Sequence, residues 1–222
     1  MRSDLISVIV PSWNYGCFLE ECLASLTGQT LQPAEIIIAD DCSSDNTPQI
    51  SIDFKHAQAQ EGASVMLLRN AVRLGTIENE NRAARRVRTP WFFYLDADDK
   101  LDATYIEKCE AVIKRSDENL FVVYSDMKKF GLWDGDWVCS DWDREALRQG
   151  NYINGHSVLR KDLFEKVGGL KDNGHFEDHW MWVEMMDLNP AFYGVHIPEL
   201  LVWYRRHDRG HRTDHTDLPT RS

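Results

Sequence analysis

Leu5-Ile6-Ser7-Val8-Ile9-Val10-Pro11 is an apolar run closed by a proline. It lacks the period-two alternation of a half-exposed strand, so it reads as a parallel strand covered on both faces. Working outward, Phe18, Cys22, Leu23 and Leu26 recur at helical spacing, and Glu35 to Ala39 forms a second apolar strand. A polar turn follows, Asp40-Asp41-Cys42-Ser43-Ser44-Asp45, and Asp45 is placed to cap a helix over about 46–61. Ser64 to Leu68 makes a third strand, and a helix spans about 76–88 until Pro90 stops it. Trp91 to Leu95 is a fourth strand that runs into Asp96-Ala97-Asp98-Asp99. Leu101 to Arg115 then reads as helix and Leu120 to Ser125 as extended. Strands alternating with helices imply right-handed crossovers and an α/β fold with an open, mostly parallel sheet flanked by helices.

After about residue 126 the composition changes. Trp133, Trp137 and Trp142 cluster around Asp134-Gly135-Asp136, a hairpin pattern. Tyr152 to Leu159 reads as extended, Lys161 to Val167 as helical, and Gly168-Gly169 as a break. Glu177 to Met186 is an apolar-aromatic helix carrying Trp180 and Trp182. From Tyr204 onward the chain holds five Arg and three His without a core pattern. With no repeats and no low-complexity linker, residues 1–222 read as a single domain with a smaller second half at about 126–205 and a basic tail at about 206–222.

The 222 residues carry 25 Lys and Arg against 36 Asp and Glu, a net charge of −11, with 43% hydrophobic residues. That composition excludes a disordered, collagen-like or coiled-coil chain. Its acidity argues against a nucleic-acid partner, which needs a basic face. The five irregularly spaced cysteines imply reduced thiols and a cytoplasmic setting rather than a disulfide frame. No apolar run approaches the ~18 residues of a membrane span, so the chain is expected to lack a transmembrane segment. Peripheral membrane association and a homo-oligomer stay open.

Open α/β sheets bind ligands at the carboxyl ends of their strands. Three polar clusters stand at such ends: Pro11-Ser12-Trp13-Asn14, Asp40-Asp41 and Asp96-Ala97-Asp98-Asp99. One such cluster alone is accounted for by turn and capping chemistry; three after successive buried strands point to a cleft. Asp96 and Asp98, two residues apart, offer hard oxygen ligands suited to Mg²⁺ or Mn²⁺. A cation there could neutralise a diphosphate. No Gly-x-Gly-x-x-Gly and no Gly-Lys-Ser/Thr follows any strand, which weakens dehydrogenase and P-loop readings.

Ile6 to Asn14, Phe18 to Leu26 with Gln29-Thr30, Glu35 to Asp45, and Tyr94-Leu95-Asp96-Ala97-Asp98-Asp99 together resemble the family 2 glycosyltransferases. So do Ser157 to Lys161, Phe164 to Gly169, the pair Glu177-Asp178, and Tyr204-Arg205-Arg206-His207. The likeness spans roughly residues 5–210. It implies a GT-A (Rossmann-like) fold, an inverting transfer and a nucleotide-diphosphate sugar donor, UDP-sugars first. The acceptor would be a saccharide, lipid-linked or protein hydroxyl. The first half, about 1–125, would bind the nucleotide sugar, about 126–205 the acceptor, and the basic tail would act as a lid. Residue by residue, the resemblance puts Pro11, Asn14 and Trp13 at the nucleotide, with Trp13 where a Tyr or Phe is more common. Asp40 would accept from a base N–H, with Asp41 and Ser43 bracing the turn. Asp96 would lie near ribose or metal, with Ala97 between, and Asp98 would be the principal metal ligand, His207 joining it. Asp178 would be the catalytic base, with Glu177 beside it. One departure stands out: Glu80 precedes Asn81 where members commonly have Arg, leaving Arg82 to substitute toward the diphosphate.

Two other readings compete. His175 and His179, four apart with acids between, superficially resemble a zinc-hydrolase helix, although Gly174 places His175 at or before the helix start. A non-catalytic nucleotide-sugar-binding module would lack the base or the metal acid, and both are present. His211 and His215 read as part of a basic tail, and the Trp133/Trp137/Trp142 group as part core, part sugar platform.

Overall fold

The computed structural model describes residues 1–173 and 177–208. Its elements in chain order are β1 (Ile6–Ser12), α1 (Gly16–Thr27), β2 (Glu35–Asp40), α2 (Thr47–Gln60), β3 (Val65–Arg69), α3 (Thr76–Ala84), β4 (Trp91–Tyr94) and β5 (Lys100–Leu101). They continue with α4 (Tyr105–Arg115), β6 (Leu120–Gly131), β7 (Gly135–Trp137), α5 (Arg144–Gln149), β8 (Val158–Arg160), α6 (Lys161–Val167), α7 (Glu177–Asp187) and β9 (Tyr193–Arg206). Among the described residues one sheet runs in the order β3-β2-β1-β4-β8-β6-β9-β5, with β7 paired to β6. Strands β3, β2, β1 and β4 are mutually parallel, and β8 is antiparallel to both β4 and β6.

The opening strand is covered on both faces, as its apolar run requires. Ile6, Val8 and Val10 pack with Leu19, Cys22, Leu23 and Leu26 of α1 and Tyr105, Ile106 and Cys109 of α4. Ile9 faces the other way, with Ile37, Phe92, Ala83 and Ala84 of α3, Phe164 of α6, and Met181 and Trp182 of α7. Each such fully buried side chain contributes roughly 1.5–3 kcal/mol, so the alternation fixes the register of the whole sheet.

The chain turns from building leftward (β1, β2, β3) to building rightward (β4) at the β1–β4 boundary, the switch point where open sheets bind ligands. Pro11 contributes there. The β1–β4 register ends at Ile9 and Tyr94, with Leu95 N donating to Ile9 O. Two residues on, alternation puts Pro11 on the same side with no N–H to offer, so the two strands can separate.

Several boundaries differ from the sequence reading. Helix α3 ends at Ala84 rather than near 88, because Thr89 and Pro90 lead the chain into β4. Residues 100–101 form a short strand against β9, not the first turn of the following helix. Strand β6 is twelve residues long, because its second half pairs with both β7 and β9. The segment 152–157 is a loop, and only Val158–Arg160 is strand. Helix α5, a single turn and a half, is too short to show a hydrophobic period in the sequence and is capped by Asp143, whose Oδ1 accepts from Glu145 N and Ala146 N. Arg206 belongs to β9 rather than to a tail, since Gly131 pairs with it.

Candidate functional site

The ends of β1 and β2 are stitched into one rim. Asn14 adopts a left-handed backbone (φ 57°), which Asn tolerates, and its Oδ1 accepts from Ser44 N at 2.8 Å. Ser43 Oγ accepts from Asn14 N at 2.8 Å, and Asp41 N donates to Ser12 O at 2.9 Å. Asp45 holds two helix starts, with one oxygen on Gly16 N and the other on Thr47 N, each 2.9 Å. Trp13 stands half-exposed, with the Arg73 guanidinium 3.3 Å over its ring.

The two acids after β2 have separate surroundings. Asp40 Oδ1 accepts from Ser43 N at 2.9 Å, while its buried Oδ2 has Arg69 Nε 3.1 Å away but outside hydrogen-bonding geometry. Asp41 is a loop brace. Its carboxylate accepts from Asn70 Nδ2 (2.7 Å), Leu74 N (2.8 Å) and Gly75 N (2.8 Å). Arg82, expected to face a diphosphate, donates to Asn70 Oδ1 and so joins the same brace. Glu80, at the position of the family's common Arg, is buried on α3.

The acids after β4 meet groups from three distant segments. Asp99 is wholly buried, with Oδ2 2.7 Å from His156 Nε2 and Oδ1 accepting from Arg205 N at 2.7 Å. Asp98 Oδ2 lies 3.0 Å from His207 Nε2, and its carbonyl accepts from Arg205 Nε at 2.7 Å. Glu21 of α1 receives both Arg205 and Lys100. His207 stacks on Phe18 (4.8 Å between centroids) and edges Tyr15. Ala97 is buried between the acids, and Asp96 is the exposed member. Burial, then the charges of Asp99 and Asp96, raise the Asp98 carboxyl to about 8. Burial opposes a charged His156, but the Asp99 hydrogen bond and the surrounding acids outweigh it and lift the imidazole to about 9.

Among the described residues one donor set could hold a cation here. Ligand atoms of Asp96, Asp99 and His156 lie within 4.8 Å of one another. Both Asp99 oxygens are already taken, however, by His156 and the Arg205 N–H. Asp98 Oδ2 is likewise engaged, with His207 Nε2 beside it. Carboxylate oxygens with one imidazole suit Mg²⁺ or Mn²⁺.

At the start of α7, Asp178 Oδ2 accepts from Asn151 Nδ2 at 3.0 Å, and Oδ1 from His179 N at 2.8 Å. Burial and then the neighbouring Glu177 push its carboxyl upward. His179 Nε2 lies 2.6 Å from Leu147 O, so it is engaged as a donor and not as a zinc ligand. Its supposed partner His175 lies outside the described residues, as do His211 and His215. Of the tryptophans, Trp142 packs on Phe121 in the core, Trp137 is half-buried, and Trp133 is exposed beneath Arg206.

Sequence reasoning missed His156 and Asn151. Neither sits in a motif, and only the loop 151–157 brings them to the acids. The spacing of Asn and His ahead of a strand carries no period that would have marked them.

A mostly parallel sheet with acids and a histidine closing over its switch point defines a protein of the GT-A glycosyltransferase fold. The chain belongs to glycosyl transferase family 2, whose family model, described as "Glycosyl transferase family 2", matches residues 7–168. An uncharacterized glycosyltransferase of Haemophilus influenzae is 27% identical over 216 residues, covering 92% of this chain and 69% of the relative. The structure of S. aureus TarS in complex with UDP-GlcNAc superposes with a TM-score of 0.73 at 17% identity, over 96% of this chain and 62% of that one. The mannosyltransferase PcManGT from Pyrobaculum calidifontis, in complex with GDP-Man and Mn²⁺, gives 0.69 at 18% identity, over 92% and 58%. The chain thus spans about three-fifths of these structural neighbours.

Proposed function

We propose that this chain transfers a sugar from a nucleotide-diphosphate sugar, UDP-sugars first, to an acceptor hydroxyl with inversion at the anomeric carbon. The observation that carries the reading is the meeting of Asp98, in the turn after β4, and His207, just past β9, at the switch point of a family 2 sheet. TarS with UDP-GlcNAc and PcManGT with GDP-Man and Mn²⁺ support a nucleotide-sugar donor and a divalent cation. Asp98, His207 and Asp96 would hold that cation, which when bound neutralises charge on the departing diphosphate.

The rim of Pro11, Trp13 and Asn14 would receive the nucleoside, with Trp13 offering a ring once Arg73 moves aside. The buried Asp40 oxygen that takes no hydrogen bond would accept from a base N–H. Asp41 and Arg82 would shape the rim rather than touch the nucleotide. Asp178 would remove the acceptor proton, burial and then Glu177 having pushed its carboxyl upward and so raised its affinity for that proton, with Glu177 beside it. On this reading residues 1–125 bind the donor and 126–205 the acceptor, be it saccharide, lipid-linked or protein. Five free cysteines support a cytoplasmic setting. No described helix is long and apolar enough to cross a membrane.

A thermal-shift panel of UDP-, GDP- and dTDP-sugars with and without Mn²⁺ tests the reading, because a ligand that binds only the native state raises its stability. A Mn²⁺-dependent rise with one nucleotide is expected. No rise with any member of the panel would sink it.

A further inference from the structure

The loop 151–157 touches both carboxylate sites. At one end Asn151 Nδ2 donates to Asp178 Oδ2 at 3.0 Å. At the other, His156 Nε2 meets Asp99 Oδ2 at 2.7 Å. Between them the loop is fastened by its own hydrogen bonds. Asn151 Oδ1 accepts from Ile153 N, Asn154 Oδ1 from His156 N, and Ser157 Oγ donates to Asn154 O. Further ties hold it to the scaffold: Asn154 Nδ2 to Ser125 O of β6 at 2.7 Å, Tyr105 OH of α4 to His156 O at 2.5 Å, and Tyr152 OH, which donates to Asp143 O and accepts from Asp143 N. Such a segment transmits displacement, because little internal freedom is left to absorb it. Gly155 adds a second feature. A Cβ there would stand 3.8 Å from Asp178 Oδ2, so the glycine keeps that approach clear of a side chain.

We infer that residues 151–157 act as a spacer that fixes the Asp178 carboxylate relative to the acids after β4, with Asn151 and His156 as its positioning residues. This rests on Asp178 as the base. Oδ1 is held by the His179 N–H and Oδ2 by Asn151, so the carboxylate cannot rotate freely. No side chain stands on the Gly155 side of Oδ2, where a Cβ would reach van der Waals contact at 3.8 Å. Small misplacements of such a group are costly, on the order of 10²-fold in rate for about 1 Å.

The experiment perturbs one end and reads the other. In full-length protein labelled with ¹³C-carboxyl aspartate, the Asp178 signal is assigned by its loss in Asp178→Asn and titrated with pH. Burial sets its midpoint first, followed by Glu177, the His179 N–H, Asn151 and the His179 ring. Asn151→Ala removes a donor that favours the carboxylate, so the Asp178 midpoint should move up. His156→Ala, which touches Asp99 rather than Asp178, should move it in the same direction. His156→Gln, which can still donate to Asp99, should restore it. An unchanged Asp178 midpoint in a folded His156→Ala protein would overturn the spacer. If His156→Ala does not fold, the reverse reading decides: Asn151→Ala should shift the His156 ring ¹⁵N signals, and unmoved signals overturn the proposal. Failure of the base reading shows separately, as full turnover in Asp178→Asn with the coupling intact.

Discussion

His207 Nε2 stands 3.0 Å from Asp98 Oδ2, although 109 residues separate them in the chain. Strand β9 makes the meeting possible. The Arg205 N–H on Asp99 and the Arg205 side chain on the Asp98 carbonyl anchor the strand's end to the β4 turn, which leaves His207 over the acids.

Metal-free protein should lose thermal stability as pH rises. Asp98 is raised from 3.8 to about 8, so between those values the native state keeps a proton that the unfolded chain has lost. His156 is raised from 6.5 to about 9, so its contribution is complete below 6.5 and disappears as pH climbs through 9. Both effects have the same sign, and calorimetry should show melting temperature falling from pH 6.5 to 9. Asp98→Asn should make the decline shallower, and Mg²⁺ should bind more tightly at pH 8 than at pH 6. An equally steep decline in the variant would remove Asp98 from this account.

Asp178→Asn should melt near the wild-type temperature and bind donor nucleotide normally. Its turnover should drop at least ~100-fold, the usual effect of losing a positioned base. Retained turnover would make Asp178 a structural first-turn residue. A product with retained anomeric configuration would exclude single displacement.

Asp41→Ala should damage stability, because the buried Asp41 carboxylate braces the loop after β3. It would remove the acceptor of the part-buried Leu74 and Gly75 N–H groups and one of the two acceptors of Asn70 Nδ2, which keeps Asn79 Oδ1. A buried donor left unmatched costs ~1–3 kcal/mol and a part-buried one less, so urea denaturation should show a clear loss of stability. A loss confined to nucleotide affinity would instead mean that Asp41 contacts the ligand directly.

Gly169→Ala should be poorly tolerated. Its φ is +81°, and a Cβ would come 2.4 Å from Asn81 Oδ1. That same oxygen accepts from Leu170 N, while Asn81 Nδ2 donates to Leu170 O, so Asn81 ties α3 to the turn after α6. Strain of this kind costs about 1–3 kcal/mol, and Asn81→Ala should produce a comparable drop in urea midpoint. Gly168→Ala, with open space around its Cβ, should pay only for its positive φ. Equal losses at 168 and 169 would show that the Asn81 clash is relieved at no cost.

Much of this protein is determined locally, and the sequence displays it. Apolar runs such as Leu5–Val10 and Trp91–Leu95 specify buried parallel strands, because hydrophobic period is a property of neighbouring residues. Pro11, the Asp-x-Asp after β4 and the double glycine after α6 mark their own turns. The tertiary structure decided what depends on distant segments meeting. It took Asp41 and Arg82 into a loop brace, removed Asp99 from the open donor set by burying it between His156 and the Arg205 N–H, and gave Asp178 its amide partner Asn151. It also carried Arg206 into a sheet, since a strand whose apolar pattern has faded still forms when a neighbour offers a free ladder, as Lys129, Phe130 and Gly131 do here. Hydrogen bonds across 12 to 109 residues leave no period in a sequence, and these bonds fix which acids are open to a ligand and which are held by the fold.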